Sequence, residues 1–212
     1  MKNLKEYLVE GLFDIDDIEG KNSLEYNTKQ LEKEIKDWIC SHYRLRRSKM
    51  AEIKRSTLTV NTRTTPPTVN CSSDLYAHLL TSLNNNGMFQ WGKVKGSFEC
   101  TNCTNLESLD GAPKVVGKWF DCSYCDSLTS LKGSPKEVGS FFLCNNCTSL
   151  TSLKGAPEKV GEWFDCKNCT SLKSLEGAPK EVGGYFSCCD CGTKFVDEDV
   201  KKLTDVKGYI DC

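Results

Sequence analysis

Ten of the chain's fourteen cysteines fall into five CxxC pairs: Cys100 with Cys103, Cys122 with Cys125, Cys144 with Cys147, Cys166 with Cys169, and Cys188 with Cys191. A CxxC can hold zinc or run thiol–disulfide chemistry, and two pairs separated by 18 residues have zinc-ribbon spacing. Little else in the chain suggests a reaction centre. Its two histidines, His42 and His78, lie outside the CxxC region, and no paired carboxylate or Ser/His set recurs with the cysteines. The surroundings of the pairs therefore decide what they do.

Those surroundings repeat as strictly as the cysteines. Cys100, Cys122, Cys144, Cys166 and Cys188 are each 22 residues apart, and so are Phe98, Phe120, Phe142, Phe164 and Phe186. Four-member columns follow at Leu106, Leu109, Pro113 and Val116, each with the same step. A zinc ribbon has no need to fix the residues between its knuckles, and five pairs is an odd number for two-pair sites. Neighbouring cysteines of a ladder approach disulfide distance, but in-register strands rarely offer the required dihedral angle. The expectation is two stacked columns of inward-facing free thiols acting as small hydrophobes, with no metal and no cofactor. Cys189 breaks the pattern and is expected to point outward. Cys40, Cys71 and Cys212 lie outside the array.

A fixed period of this size predicts a solenoid whose coils bury their apolar residues against one another. Phe and Cys two apart share one face of a short strand. The Gly-x-Pro of every unit forbids a regular helix on the return leg, because Pro removes a donor and restricts the residue before it. One short strand per coil is expected, stacked into a parallel ribbon with roughly 4.8 Å between neighbours. Four full units run from about 98 to 185, and a fifth starts at Phe186 and breaks down after Cys191.

The unit FxCxxCxxLxxLxxxPxxV resembles a short bacterial leucine-rich repeat, whose pattern is LxxLxLxxN/CxxL. Phe120 and Cys122 match the strand positions, Cys125 the Asn/Cys position, and Leu128 and Leu131 the leucines that follow. The leg "LTSLKGSP" is similar to the "LxxLPxLP" leg of leucine-rich-repeat effectors from enteric bacteria. The departure is a second Cys in place of a strand Leu. The resemblance covers about residues 90 to 195 and implies an α+β chain. Its centre is a right-handed leucine-rich-repeat solenoid, preceded by a small helical and strand region and a cap. It also implies a protein-binding module rather than an enzyme.

If Phe120 and Cys122 face inward, the residues between and before them face out. That places Trp119, Phe141, Trp163 and Tyr185 in one outward column. Glu99, Asp121, Leu143, Asp165 and Ser187 form the next. Aromatics dominate binding hot spots, so Trp119, Phe141, Trp163 and Tyr185 with Asp121 and Asp165 are the candidate partner-binding residues. A self-stacking ladder that only stabilises strand pairing is the competing explanation.

The overall charge is balanced, 28 basic against 29 acidic residues, which gives no general drive toward nucleic acid or membrane. Nearly neutral repeats argue against a phosphate-binding groove. No run of 18 apolar residues spans a bilayer. The opening "MKNLKEYLVEGLFDIDD" lacks the continuous apolar core of a secretory signal. With fourteen cysteines, this implies a reducing compartment.

Upstream of the repeats, Met1, Leu4, Leu8 and Leu12 share one side of a short helix, and "DIDDIEGKNS" reads as a linker. Leu31, Ile35, Trp38 and Ile39 mark a longer amphipathic helix. Residues 41 to 65 carry seven Arg or Lys against one acid, Glu52. Arg44, Arg46, Arg47 and Lys49 are the candidate basic contacts, for nucleic acid or an acidic partner. "STLTVNT" reads as a strand and "SSDLYAHLLTSLNNNG" as a helix; together they should cap the solenoid. "VDEDVKKLTDVKGYI" is the candidate for the other cap.

The first eleven residues resemble the capsid-targeting peptide of internal head proteins in T-even-type phages, which is cut after Glu in a Leu/Ile-x-Glu context. Leu8-Val9-Glu10 followed by Gly11 matches, making Glu10 and Gly11 the candidate processing site. The "SLxSLxGAP" legs are also similar to repeat proteins of gut-type phages. These resemblances imply a phage-encoded protein of the host cytoplasm or the virion.

The expected organisation is a targeting-like peptide and linker at 1–20, a helical and strand region at 21–70 and a cap at 71–97. The array follows at 98–191 and a second cap at 192–212. The leading reading is a non-enzymatic interaction module with an unknown protein partner. The alternatives are a zinc-dependent nucleic-acid-binding protein using the CxxC pairs, and a purely structural virion component.

Overall fold

A computed structural model describes residues 22–44, 58–64, 66–77, 83 and 89–212. They form a β-solenoid whose coils contribute to two eight-stranded sheets. The front sheet runs Tyr43–Arg44, Leu75–Ala77, Phe98–Glu99, Phe120–Asp121, Phe141–Leu143, Trp163–Asp165, Phe186–Ser187, Ile210–Asp211. The back sheet runs Leu58–Asn61, Thr68–Cys71, Gln90–Val94, Val115–Val116, Glu137–Val138, Lys159–Val160, Glu181–Val182, Asp205–Val206. Pairing is parallel except at the two first strands, where Tyr43 opposes Ala77 and Leu58 opposes Cys71 antiparallel.

The columns read from the sequence become the interior. Phe98, Phe120, Phe142, Phe164 and Phe186 are fully buried, with successive ring centroids 5.0–5.5 Å apart. Both leucine columns and the Val116, Val138, Val160, Val182 column are buried with them.

One strand per coil was expected, and there are two. The valines head a second sheet: Val116 pairs with Val138, Val138 with Val160, and Val160 with Val182. Pro fixes φ just before each of these segments, which suits an extended entry. Gly155 in the leg has φ +90, a conformation that turns the chain and is open to glycine.

The array also extends beyond 98–191, and neither sheet breaks at 97 or 191. Leu75–Ala77 is a strand where a helix was expected. Leu75 occupies the Phe column opposite Phe98, and the Cys103 thiol bonds the Ala77 carbonyl. The remainder of that expected helix lies largely outside the described residues.

At the other end the repeat does not stop after Cys191. The chain makes a short helix, Asp197–Lys201, and returns to both sheets: Val206 opposes Val182 and Ile210 opposes Phe186. The step there is 24 residues rather than 22. Cys212 thus continues the first cysteine column, following Cys188, whose N–H donates to the Asp211 carbonyl at 2.8 Å.

The expected helix is present as Asn22–His42, with Ile35 and Ile39 fully buried. Tyr43, in the strand that follows the helix, and Trp91 lay an aromatic lid over the phenylalanine ladder. Tyr43 meets Phe98 at 6.0 Å and Trp91 at 5.4 Å, and Trp91 Nε1 donates to the Tyr43 hydroxyl at 3.3 Å. Strand Leu58–Asn61 matches the "STLTVNT" expectation and covers the end of the back sheet. Glu10, Gly11, Arg46, Arg47 and Lys49 lie outside the described residues. Arg44 is placed by its backbone alone, opposite Tyr76.

Candidate functional site

The CxxC turns are built alike. The third residue of each, Asn102, Tyr124, Asn146, Asn168 or Asp190, has φ between 54 and 60. Asn and Asp tolerate this left-handed conformation better than other side chains. The turn sends the second cysteine under the preceding coil. Cys125, Cys147, Cys169 and Cys191 donate their thiols to the carbonyls of Cys100, Cys122, Cys144 and Cys166 at 3.1–3.3 Å.

The first column reaches the other way. Cys122 donates to Leu143 at 3.5 Å and Cys166 to Ser187 at 3.2 Å. The Cys147 thiol and burial hold Cys122 well above its ordinary pKa, and the Cys191 thiol and burial do the same to Cys166. Nucleophiles and metal ligands are thiolates, and these groups stay protonated at neutral pH. Among the described residues no three His, Cys, Asp or Glu side chains are arranged to hold a metal ion. The geometry of the pairs is that of a core. Cys189 lies half-buried on the outer face, its thiol 3.4 Å from the Asp211 carbonyl.

The front sheet brings the expected surface residues together. Phe141 and Trp163 pack with centroids 4.8 Å apart and planes tilted by 30°, and Trp163 meets Tyr185 edge-on at 6.0 Å. Trp163 is 50% exposed. Trp119 sits lower in the column and donates its Nε1 to Glu99 Oε1 at 3.1 Å.

Tyr209 also belongs to the stripe: it stacks on Tyr185 at 5.7 Å and is 66% exposed. The signal for it was present, since Tyr209-Ile210-Asp211-Cys212 parallels Tyr185-Phe186-Ser187-Cys188. The longer final step hid it.

Acids line the neighbouring column. Asp121 and Asp165 each accept the backbone N–H two residues on, from Ser123 at 2.9 Å and Lys167 at 3.0 Å. Burial raises the Asp165 pKa, against the lowering effect of the Lys167 N–H. The Tyr185 hydroxyl donates to Asp211 Oδ2 at 2.6 Å. Burial and that carboxylate push Tyr185 up to about 12, while the Cys189 and Tyr185 donors lower Asp211. The acid column thus continues to Asp211.

Fold and surface together define a two-sheet β-solenoid with a cysteine-lined core and an aromatic, acid-edged outer face. No family model, no curated protein and no solved structure matches the chain. Among the described residues no helix is long and apolar enough to cross a membrane.

Proposed function

We propose that the protein is a non-enzymatic interaction module that binds a protein partner through the front face of its solenoid. The observation that carries this reading is the unbroken outward run Phe141, Trp163, Tyr185, Tyr209 beside Asp165 and Asp211. Sheet stability alone gives little reason for it, because the buried phenylalanine ladder already supplies cross-strand aromatic packing in every coil. Large amphipathic rings on a rigid surface lose little entropy on contact and favour binding.

Within this reading the coils are right-handed and of leucine-rich-repeat type. Leu128 and Leu131 after the CxxC turn support that assignment. The protein would work in a reducing compartment, where the stacked cysteines remain thiols.

The test is the double variant Trp119→Ala, Trp163→Ala, compared with the unaltered chain for partner capture and melting temperature. Lost capture with cooperative melting retained is the expected result. Capture that survives both substitutions removes the front face from the function.

A further inference from the structure

The back sheet carries charges in two adjacent columns. One column runs Lys93, Val115, Glu137, Lys159, Glu181, Asp205, and the other runs Lys114, Lys136, Glu158, Lys180. In the later coils opposite signs meet at two places, while Glu181 and Asp205 are adjacent acids. Lys159 pairs with Glu181 at 3.0 Å and Lys180 with Glu158 at 3.0 Å.

In the earlier coils the alternation fails. Lys114 and Lys136 are immediate neighbours, joined by the Lys136 N–H to Lys114 carbonyl bond at 2.9 Å. Lys93 and Lys95 lie one strand away, where Gly92 accepts the Lys114 N–H at 2.9 Å. All four side chains are exposed, and no carboxylate of the described residues lies within 4.0 Å of any of them. Asp74 and Asp110 pair instead with Lys118 and Lys132. Two acids of these columns border the cluster: Glu137, opposite Val115 and Lys159, and Glu158, next to Lys136 and ion-paired with Lys180.

Like charges directly across a sheet repel. The same column goes on to alternate Lys136, Glu158 and Lys180, so architecture does not impose the Lys114–Lys136 pairing.

We infer that Lys93, Lys95, Lys114 and Lys136 form a docking surface for the phosphate backbone of a nucleic acid. The patch contains no aromatic anchor, and its strands already pair their backbone donors. Binding energy must therefore come from charge alone. Exposed carboxylates of a protein gain little from exposed lysines. A dense phosphate chain binds lysines by releasing condensed counterions, which needs no apolar anchor. This surface faces away from the aromatic front and is independent of it.

The experiment uses the full chain and short labelled DNA of mixed sequence, read by fluorescence anisotropy. Four phosphate contacts predict a roughly 100-fold loss of affinity between about 50 and about 200 mM salt. At the lower salt, the triple variant Lys93→Gln, Lys114→Gln, Lys136→Gln is expected to bind at least about tenfold more weakly, with a shallower salt slope. The variant Lys159→Gln, Lys180→Gln, in the paired coils, should bind as the unaltered chain does. Circular dichroism establishes that each variant is folded.

Absence of saturable binding at the lower salt overturns the inference. So does equal binding by the triple variant, which would move the contact to another basic segment. Polyglutamate binding as tightly as DNA overturns it in favour of an acidic protein partner.

Discussion

The Cys147 thiol donates to the Cys122 carbonyl at 3.2 Å, and the same bond recurs one coil earlier from Cys125 to Cys100 at 3.1 Å. Each thiol therefore ties its coil to the one before it. The column also makes the fold sensitive to base. Cys100, Cys122, Cys144 and Cys166 all titrate well above their ordinary range. For Cys100 and Cys122 the hydrogen-bonded partner thiol and burial are the causes, and for Cys144 burial leads.

The unfolded chain ionises these thiols near pH 9 and the folded chain does not. Their contribution is complete below that pH and is lost as pH rises. Stability then falls with each further pH unit, by on the order of 1 kcal/mol for a thiol that stays protonated in the folded chain. Melting temperature should be flat from neutrality to about pH 8.5 and fall steeply between about pH 9 and 10. A melting temperature unchanged across that upper range would mean the thiols are not buried as described.

Close stacking of the back sheet rests on a glycine column. A Cβ on Gly161 would overlap the Gly139 carbonyl oxygen, and one on Gly139 would overlap that of Gly117. The obstacle is backbone, which leaves nothing flexible to yield. Gly161→Ala should destabilise by about 3 kcal/mol, the upper range for overpacking. Gly184→Ala, whose Cβ would lie 3.0 Å from the Glu162 carbonyl oxygen, should cost much less. Denaturant midpoints of the two variants measure the difference.

The parts of this fold that the sequence announces are those with a large side chain and a constant step. Phe120, Cys122, Leu128 and Val138 recur in register, so the core and the outward Trp163 column follow from counting. The second sheet was illegible within the array because its strands there, such as Glu137–Val138, are two residues long and show no alternation. Leu75–Ala77 was hidden by its helix-like neighbours and by a step of 23 to Phe98. Tyr209 and Cys212 were hidden by the helix Asp197–Lys201, which lengthens the last step. The lysine cluster needed the pairing itself. The signs of Lys114 and Lys136 mean little until the two are known to be neighbours.

Tyr124 is the misfit among the CxxC turns. It holds φ 60, where the equivalent residues are Asn102, Asn146, Asn168 and Asp190. A bulky side chain in this region costs about 1–2 kcal/mol relative to one that tolerates it. Tyr124 is 49% exposed and so recovers little by packing. Tyr124→Asn should stabilise the chain by about 1 kcal/mol, visible as a higher melting temperature. A lower one would show that the Tyr124 ring holds its turn by contacts that outweigh the strain.

Lys114→Glu separates stability from binding. It places a carboxylate opposite Lys136 and restores the sign alternation seen at Glu158 and Lys180. Replacing a like-charge pair by an opposite one across a sheet is worth about 0.2–1 kcal/mol, so the variant should melt higher than the unaltered chain. DNA affinity should fall, because one phosphate contact is lost and a repulsive charge is added. A patch kept for function predicts these opposite signs, since repulsion tolerated in the folded state is recovered when a polyanion covers it. If melting temperature and affinity instead fall together, Lys114 is supporting the sheet, and the clustering has a structural origin.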